Sequence, residues 1–70
     1  MNASISITVN GERREVPGGL SVAALLAHLG LPPARVAIER NLEILPRARW
    51  QETSVQSGDR FEIVQFVGGG

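Results

Sequence analysis

An Asn10-Gly11 dipeptide between two strand-like segments is the feature that most restricts how this 70-residue chain can fold. Over residues 4–9, apolar residues alternate with small polar ones, which is the pattern of a half-buried strand. The dipeptide accepts the positive φ values of a type I′ turn, so residues 12–16 are predicted to return as an antiparallel partner. The sequence therefore predicts a β-hairpin at the start of the fold.

One helix is predicted directly after this hairpin, over residues 22–29. Ser21 can cap its first turn, Leu20 can pack on Leu25 as a hydrophobic staple, and Gly30 suits the left-handed position that ends a helix. The apolar residues at helical spacing are Val22, Leu25, Leu26 and Leu29. They form one stripe that can be buried against a sheet.

The second half of the chain is predicted to add a short hairpin and a final strand. The segments in question are strands at 35–40 and 43–45, a helical turn at 47–51, and a last strand at 60–67 after Gly58-Asp59. Pro46 lacks an N–H group and places the fourth strand at a sheet edge. In a layer this small, the last strand is expected to lie centrally and parallel to the first. The predicted fold is an α+β, ubiquitin-like β-grasp roll, with one main helix on a mixed sheet of about four to five strands.

The last strand runs directly into Gly68, Gly69 and Gly70, so the predicted division is a domain over residues 1–67 and a flexible glycine tail over 68–70. Glycine has no Cβ atom, so such a tail can enter a channel too narrow for other residues. Fully extended, it carries a carboxylate roughly 10 Å beyond the strand. By itself a short glycine run is more often a frayed terminus or a spacer than a functional tail.

The two faces of the last strand are predicted to differ. Alternation places Phe61, Ile63, Gln65 and Val67 on one face and Arg60, Glu62, Val64 and Phe66 on the other. If Phe61 and Ile63 lie beneath the helix, Val64 and Phe66 face water next to the tail and form a candidate docking surface, with Arg60 and Glu62 as its polar rim. The alternative is that Phe66 folds over the sheet edge or that both faces are buried. Trp50 is expected in the core, since a small domain needs its one large aromatic residue for burial.

Composition argues against catalysis by the chain itself. It contains no cysteine and one histidine, His28, which lies off the apolar stripe in the last helical turn and is expected to be solvated. No nucleophile with a base, and no metal site, can be assembled from these residues. Seven basic and seven acidic residues are spread along the chain, which argues against nucleic-acid binding. Its longest apolar run is too short to span a membrane, and a soluble cytoplasmic protein is expected.

With these segments in place, the chain resembles the ThiS-type sulfur carriers of thiamine biosynthesis, which are ubiquitin-like β-grasp proteins. The residues that carry the resemblance are Asn10-Gly11, Leu20-Ser21-Val22, Ile38-Glu39-Arg40-Asn41 with Glu43-Ile44, Gly58-Asp59 and the ending Phe66-Val67-Gly68-Gly69-Gly70. The family ends in a glycine pair, which Gly69 and Gly70 match. Gly68 is an additional glycine.

The resemblance implies a carrier that partner enzymes modify at Gly70. A ThiF-type, E1-like enzyme would adenylate the Gly70 carboxylate with ATP, and sulfur from a donor such as a cysteine desulfurase would convert it to a thiocarboxylate. A ThiG-type thiazole synthase would then take the sulfur. Gly68 and Gly69 would give the tail access to these active sites, and the carrier itself would bind no cofactor.

Two alternatives remain beside this interpretation. A molybdopterin synthase small subunit resembles the chain in fold, ending and chemistry, although the short length and the Glu39-Arg40-Asn41 segment favour thiamine. A ubiquitin-like binding module with an inert tail is the alternative of a different class.

Overall fold

A five-stranded mixed sheet with one helix on one face is formed by residues 3–66, the part of the chain that this computed structural model describes. The elements in chain order are β1 (Ser4–Val9), β2 (Glu12–Pro17), α1 (Val22–Leu29), β3 (Val36–Arg40), β4 (Glu43–Ile44) and β5 (Arg60–Gln65). Two short 3-10 turns, Pro33–Arg35 and Arg47–Arg49, connect them. The predicted β-grasp architecture is confirmed.

Local signals explain the first hairpin and the helix. Asn10 and Gly11 have φ values of 50° and 82°, the left-handed conformation that the type I′ turn requires. The Ser21 hydroxyl accepts a hydrogen bond from the Ala24 N–H at 3.1 Å, which caps the helix. Gly30 ends it with a φ of 75°.

No helix within residues 3–66 is long and apolar enough to cross a membrane.

Strand β5 is the centre of the sheet. The strand order is β2-β1-β5-β3-β4, with β5 parallel to β1 and antiparallel to β3. A parallel pair needs a crossover connection, and α1 lies in that connection. Both the central position of the last strand and the edge position of β4 are therefore confirmed.

The core lies between the helix and the inner face of the sheet. Phe61 and Ile63 of β5 are buried there with Leu25 and Leu26 of α1, as the alternation predicted. Trp50 is also buried in this cluster, and its indole N–H donates to the Leu45 carbonyl at 2.9 Å. A buried indole needs such a partner, so the expectation that Trp50 belongs to the core is confirmed.

Several predicted boundaries are wrong by one or two residues. Strand β3 begins at Val36 instead of Arg35, because Pro33 starts a 3-10 turn and the Arg35 N–H donates to the Pro32 carbonyl at 3.1 Å. Strand β4 ends at Ile44, one residue earlier than predicted. The predicted turn at 47–51 is the shorter 3-10 turn, and β2 extends to Pro17. Strand β5 ends at Gln65, although the Phe66 N–H still donates to the Arg35 carbonyl at 2.7 Å.

The β3–β4 turn contains no glycine. Asn41 and Leu42 have φ values of 51° and 72°, the same left-handed conformation as the first hairpin. A leucine there is strained, and its side chain is 85% exposed, so no core contact compensates for the strain. The Asn41 N–H donates to the Arg60 carbonyl at 2.8 Å, and this hydrogen bond anchors the turn to the start of β5.

Candidate functional site

The end of β5 exposes two large apolar side chains next to the glycine segment. Val64 is 59% exposed and Phe66 is 53% exposed, while Phe61 and Ile63 on the same strand are buried. Val64 therefore lies on the outer face of the sheet, away from α1, as the sequence predicted. The role of Val64 and Phe66 in docking stays a prediction.

A neighbouring strand enlarges this exposed apolar area. Val64 is paired with Ala37 of β3, and both line a shallow groove that also includes Ile44 of β4. Ile44 is 76% exposed. We call Ala37, Ile44, Val64 and Phe66 the apolar half-face. The sequence did not identify Ala37 or Ile44 as docking residues. β4 is too short to show which face Ile44 occupies, and no sequence pattern shows that β3 lies beside the end of β5.

The other half of the same sheet face is polar. On β1 and β2, the Ser6 hydroxyl donates to a Glu15 carboxylate oxygen at 2.9 Å, and the Arg13 Nε donates to the Ser6 hydroxyl at 2.7 Å. Thr8 lies on this side as the register partner of Arg60. The outer face is thus divided into two halves of different chemistry, and the apolar half includes the end of β5.

The remaining predicted site residues fall into two groups. Gly68, Gly69 and Gly70 lie outside the described residues, as does the predicted domain boundary at residue 67. Arg60 and Glu62 are exposed on β5, and His28 is exposed on α1. Among residues 3–66, no three histidine or acidic side chains come together as a metal site.

Asn10 has a second role that the sequence did not reveal. Its side-chain amide donates to the Ile63 carbonyl at 3.1 Å, and its side-chain oxygen accepts from the Ile63 N–H at 2.7 Å. The side chain thereby continues the β1–β5 pairing one step beyond Val9 and Phe61, where the backbone pairing ends. Asn10 thus holds the segment of β5 that leads to Val64.

Asp59 fixes the opposite end of β5. This residue is 5% exposed, and its carboxylate accepts hydrogen bonds from the Arg40 Nε at 3.0 Å, the Asn41 side chain at 3.2 Å and the Gln56 N–H at 2.9 Å. The sequence patterns identified Asp59 only as part of the turn before the last strand. No local signal links Asp59 to Arg40, because the pair is 19 positions apart.

These contacts determine the acidity of Asp59. Burial raises the pKa of the carboxyl group, but the Gln56 N–H, the Arg40 and Asn41 side chains and the Arg40 charge outweigh it and lower the pKa below the ordinary 3.8. A lowered folded-state pKa means that the carboxylate stabilises the fold above the unfolded-state pKa. That contribution is lost as the pH falls through the lower, folded-state pKa.

We expect Asp59→Asn to lower the free energy of unfolding at pH 7 by about 2 kcal/mol, since hydrogen bonds to a charged group are lost. The difference from the wild type should shrink as the pH falls below about 4, because the wild-type carboxylate becomes protonated. Urea unfolding across this range measures both effects. The control, Glu52→Gln, removes the exposed Arg49–Glu52 pair at 3.6 Å and should change stability by less than about 0.5 kcal/mol. A difference that persists unchanged at low pH would contradict the assigned role.

Comparison with known proteins agrees with the fold. The ThiS family model matches residues 7–70. The crystal structure of the thiamine biosynthesis protein (ThiS) from Geobacter metallireducens superposes on this fold with a TM-score of 0.79. The match covers 94% of this chain and 100% of that one, and the two sequences are 39% identical. The sulfur carrier protein ThiS of Escherichia coli is 32% identical over 94% of this chain and 100% of its own length.

A second group of relatives is much longer than this chain. The thiazole synthase of Paramagnetospirillum magneticum is 44% identical over 66 residues, which are 94% of this chain. The match covers 20% of that synthase, and the same share of a second thiazole synthase from Magnetococcus marinus. The chain therefore spans about a fifth of the length of these two relatives.

The helix on a five-stranded mixed sheet, with its central last strand, defines the class as a ubiquitin-like β-grasp protein. Within that class the chain belongs to the ThiS family, as the match over residues 7–70 shows. The relatives that share the family name are the sulfur carrier protein ThiS of Escherichia coli and the thiamine biosynthesis protein (ThiS) of Geobacter metallireducens. The family predicted from the sequence is confirmed.

Proposed function

We propose that this chain carries sulfur for thiamine biosynthesis as a thiocarboxylate at Gly70. The observation that carries the proposal is the extent of the family match, which runs through residue 70 and so includes all three glycines. The apolar half-face at the end of β5 supports it, because a carrier whose tail enters other enzymes needs a surface on which those enzymes can dock.

The chemistry requires activation before sulfur can be added. A carboxylate is a poor electrophile until one of its oxygens becomes part of a good leaving group. A ThiF-type, E1-like enzyme supplies this by transferring AMP from ATP to the Gly70 carboxylate with release of pyrophosphate. The outer sulfur of a cysteine desulfurase persulfide then displaces AMP and forms an acyl disulfide. A thiol reductant cleaves its S–S bond, which releases the thiocarboxylate and leaves the thiol and the desulfurase cysteine as a mixed disulfide. The chain is thus a protein substrate of its partners, and ATP is bound by the activating enzyme. We place the chain in the cytoplasm, where ATP is available.

A ThiG-type thiazole synthase is the proposed acceptor. Two relatives named thiazole synthase contain a segment similar to nearly all of this chain within a much longer protein. A carrier segment and a synthase in one polypeptide are kept at high effective concentration, which is useful only if they work together. We infer that this chain delivers sulfur to a synthase of the same type.

The length of the tail determines where a partner must bind. β5 ends at Gln65, and the five residues from there to Gly70 can reach at most roughly 17 Å, so the mouth of a partner active site must lie within that distance of the end of β5. Val64 and Phe66 are the exposed apolar residues at that end, and Ile44 and Ala37 extend the surface across β3 and β4. Gly68 and Gly69 give passage because side chains there would clash with a narrow channel.

Intact mass spectrometry tests the function directly. Incubation with the ThiF-type enzyme, ATP and a persulfide sulfur source should replace one oxygen of the chain by sulfur, and fragmentation should locate the change at Gly70. An unchanged mass, with an enzyme that modifies another ThiS protein in parallel, would favour a binding module with an inert tail. Transfer of the sulfur to thiazole synthase, and not to the large subunit of molybdopterin synthase, distinguishes the two pathways.

A further inference from the structure

Two glutamates on neighbouring strands line the groove in the apolar half-face. Glu39 of β3 and Glu62 of β5 are register partners in the antiparallel pair. Both line the groove together with Ala37, Ile44 and Val64. Opposed side chains in such a pair have Cβ atoms about 5 Å apart, and like charges in these positions destabilise a sheet.

The described residues do not neutralise this pair. The acidic residues that form ion pairs within residues 3–66 are Glu12, Glu15, Glu52 and Asp59. Neither Glu39 nor Glu62 has a cationic side chain within salt-bridge distance in that range. Arg40, which follows Glu39, is already bound to Asp59. The free carrier therefore holds two like charges in contact with apolar side chains.

A partner that covers the apolar half-face must compensate these charges. Removing two carboxylates from water is unfavourable unless a cation and hydrogen bonds replace the water. A guanidinium group is suited to this, because its planar set of donors can bind two carboxylates at once. The groove thus favours a surface that is apolar with one basic residue near its centre.

The activating enzyme is the partner that fits this chemistry best. Its reaction brings the Gly70 carboxylate next to the triphosphate of ATP, so it assembles more negative charge than the other steps and needs cations around its active-site mouth. We propose, on the basis of the function proposed above, that the adenylating enzyme places an arginine or lysine side chain between Glu39 and Glu62.

The position of this contact separates binding from chemistry. Glu62 lies roughly 10 Å along β5 from Gln65, and Gly70 follows Gln65 by five further positions in the sequence. The glutamate pair therefore contacts the enzyme outside the reacting centre. Its loss should raise the Kd and KM of the carrier and leave kcat at saturating carrier unchanged.

The test compares three variants by calorimetric binding to the activating enzyme and by thermal unfolding. Glu62→Gln should raise the Kd about tenfold, and Glu62→Arg about 100-fold, because the reversed charge repels the partner cation. The melting temperature should rise although the affinity falls. Glu62→Arg replaces a repulsive cross-strand pair by an attractive one and should raise the Tm by about 2 °C. The matched control, Glu12→Arg on edge strand β2, should leave the Kd unchanged.

The binding and conversion assays distinguish failure of the glutamate contact from failure of the proposed function. A Kd for the activating enzyme that is unchanged in Glu62→Arg, or a loss of binding confined to thiazole synthase, would overturn this inference while the wild-type chain is still converted to the thiocarboxylate. If the wild-type chain is not converted by a competent enzyme, the proposed function fails and the inference with it.

Discussion

A carrier extended by one alanine after Gly70 is expected to accept no sulfur at all. The extension removes the α-carboxylate from Gly70 and places another at a residue with a side chain, one step further from the docking surface. A displacement on the order of 1 Å can already lower a rate about 100-fold, and one residue adds up to about 3.5 Å. Intact mass after incubation with the activating enzyme, ATP and sulfur donor should therefore equal the starting mass.

Stability should not change in this extended chain, since the last described hydrogen bond is made by the Phe66 N–H, five positions before the added alanine. The matched control carries a cleavable extension, and a protease that leaves Gly70 as the last residue should restore sulfur uptake. Thiocarboxylate formation on the uncleaved chain would disprove the role of the Gly70 carboxylate.

The double variant Val64→Asn with Phe66→Asn is expected to bind the activating enzyme and thiazole synthase about 100-fold more weakly. Full burial of one such side chain is worth about 1.5–3 kcal/mol. Because Val64 and Phe66 are 59% and 53% exposed, about half of that value is available to a partner from each residue. The sum is about 1.7–3.4 kcal/mol, a range that includes the ~2.7 kcal/mol corresponding to two orders of magnitude in Kd.

Asparagine adds no charge, so the variant tests apolar contact apart from the glutamate pair. Its melting temperature should stay close to that of the wild type, because surface substitutions change stability by about 0.5 kcal/mol or less. Thr8→Asn, on the polar half of the same sheet face, is the matched control and should bind normally. Equal affinity of the double variant and the control would show that the apolar half-face is not the docking surface.

Those parts of the fold that depend on neighbouring residues were predictable from sequence. Asn10-Gly11 specifies its turn, and Ser21 and Gly30 specify the two ends of the helix, because each signal acts over a few residues. The central position of β5 followed from connection rules. Boundaries near prolines were less accurate, since Pro33 can start either a turn or an extended segment.

The candidate site was only partly predictable for the same reason. Alternation along β5 correctly predicted that Val64 faces outward, but it contained no information on which residues of β3 and β4 lie beside it. The groove around Ala37 and Ile44 exists because pairing brings separate segments together. That pairing also places Glu39 opposite Glu62, which the sequence shows only as two unrelated acidic residues.

By itself, the sequence determined the order of the elements, the apolar stripe of α1 and the strand that leads to Gly68, because turn dipeptides, caps and periodicity are local. Only the tertiary structure decided that Asn10 binds Ile63, 53 positions away, that Asp59 binds Arg40, and that the outer sheet face has an apolar half with two opposed glutamates. These contacts depend on strand register. Register is set by the packing of the whole core, and a shift of one residue would reverse every side chain on the strand.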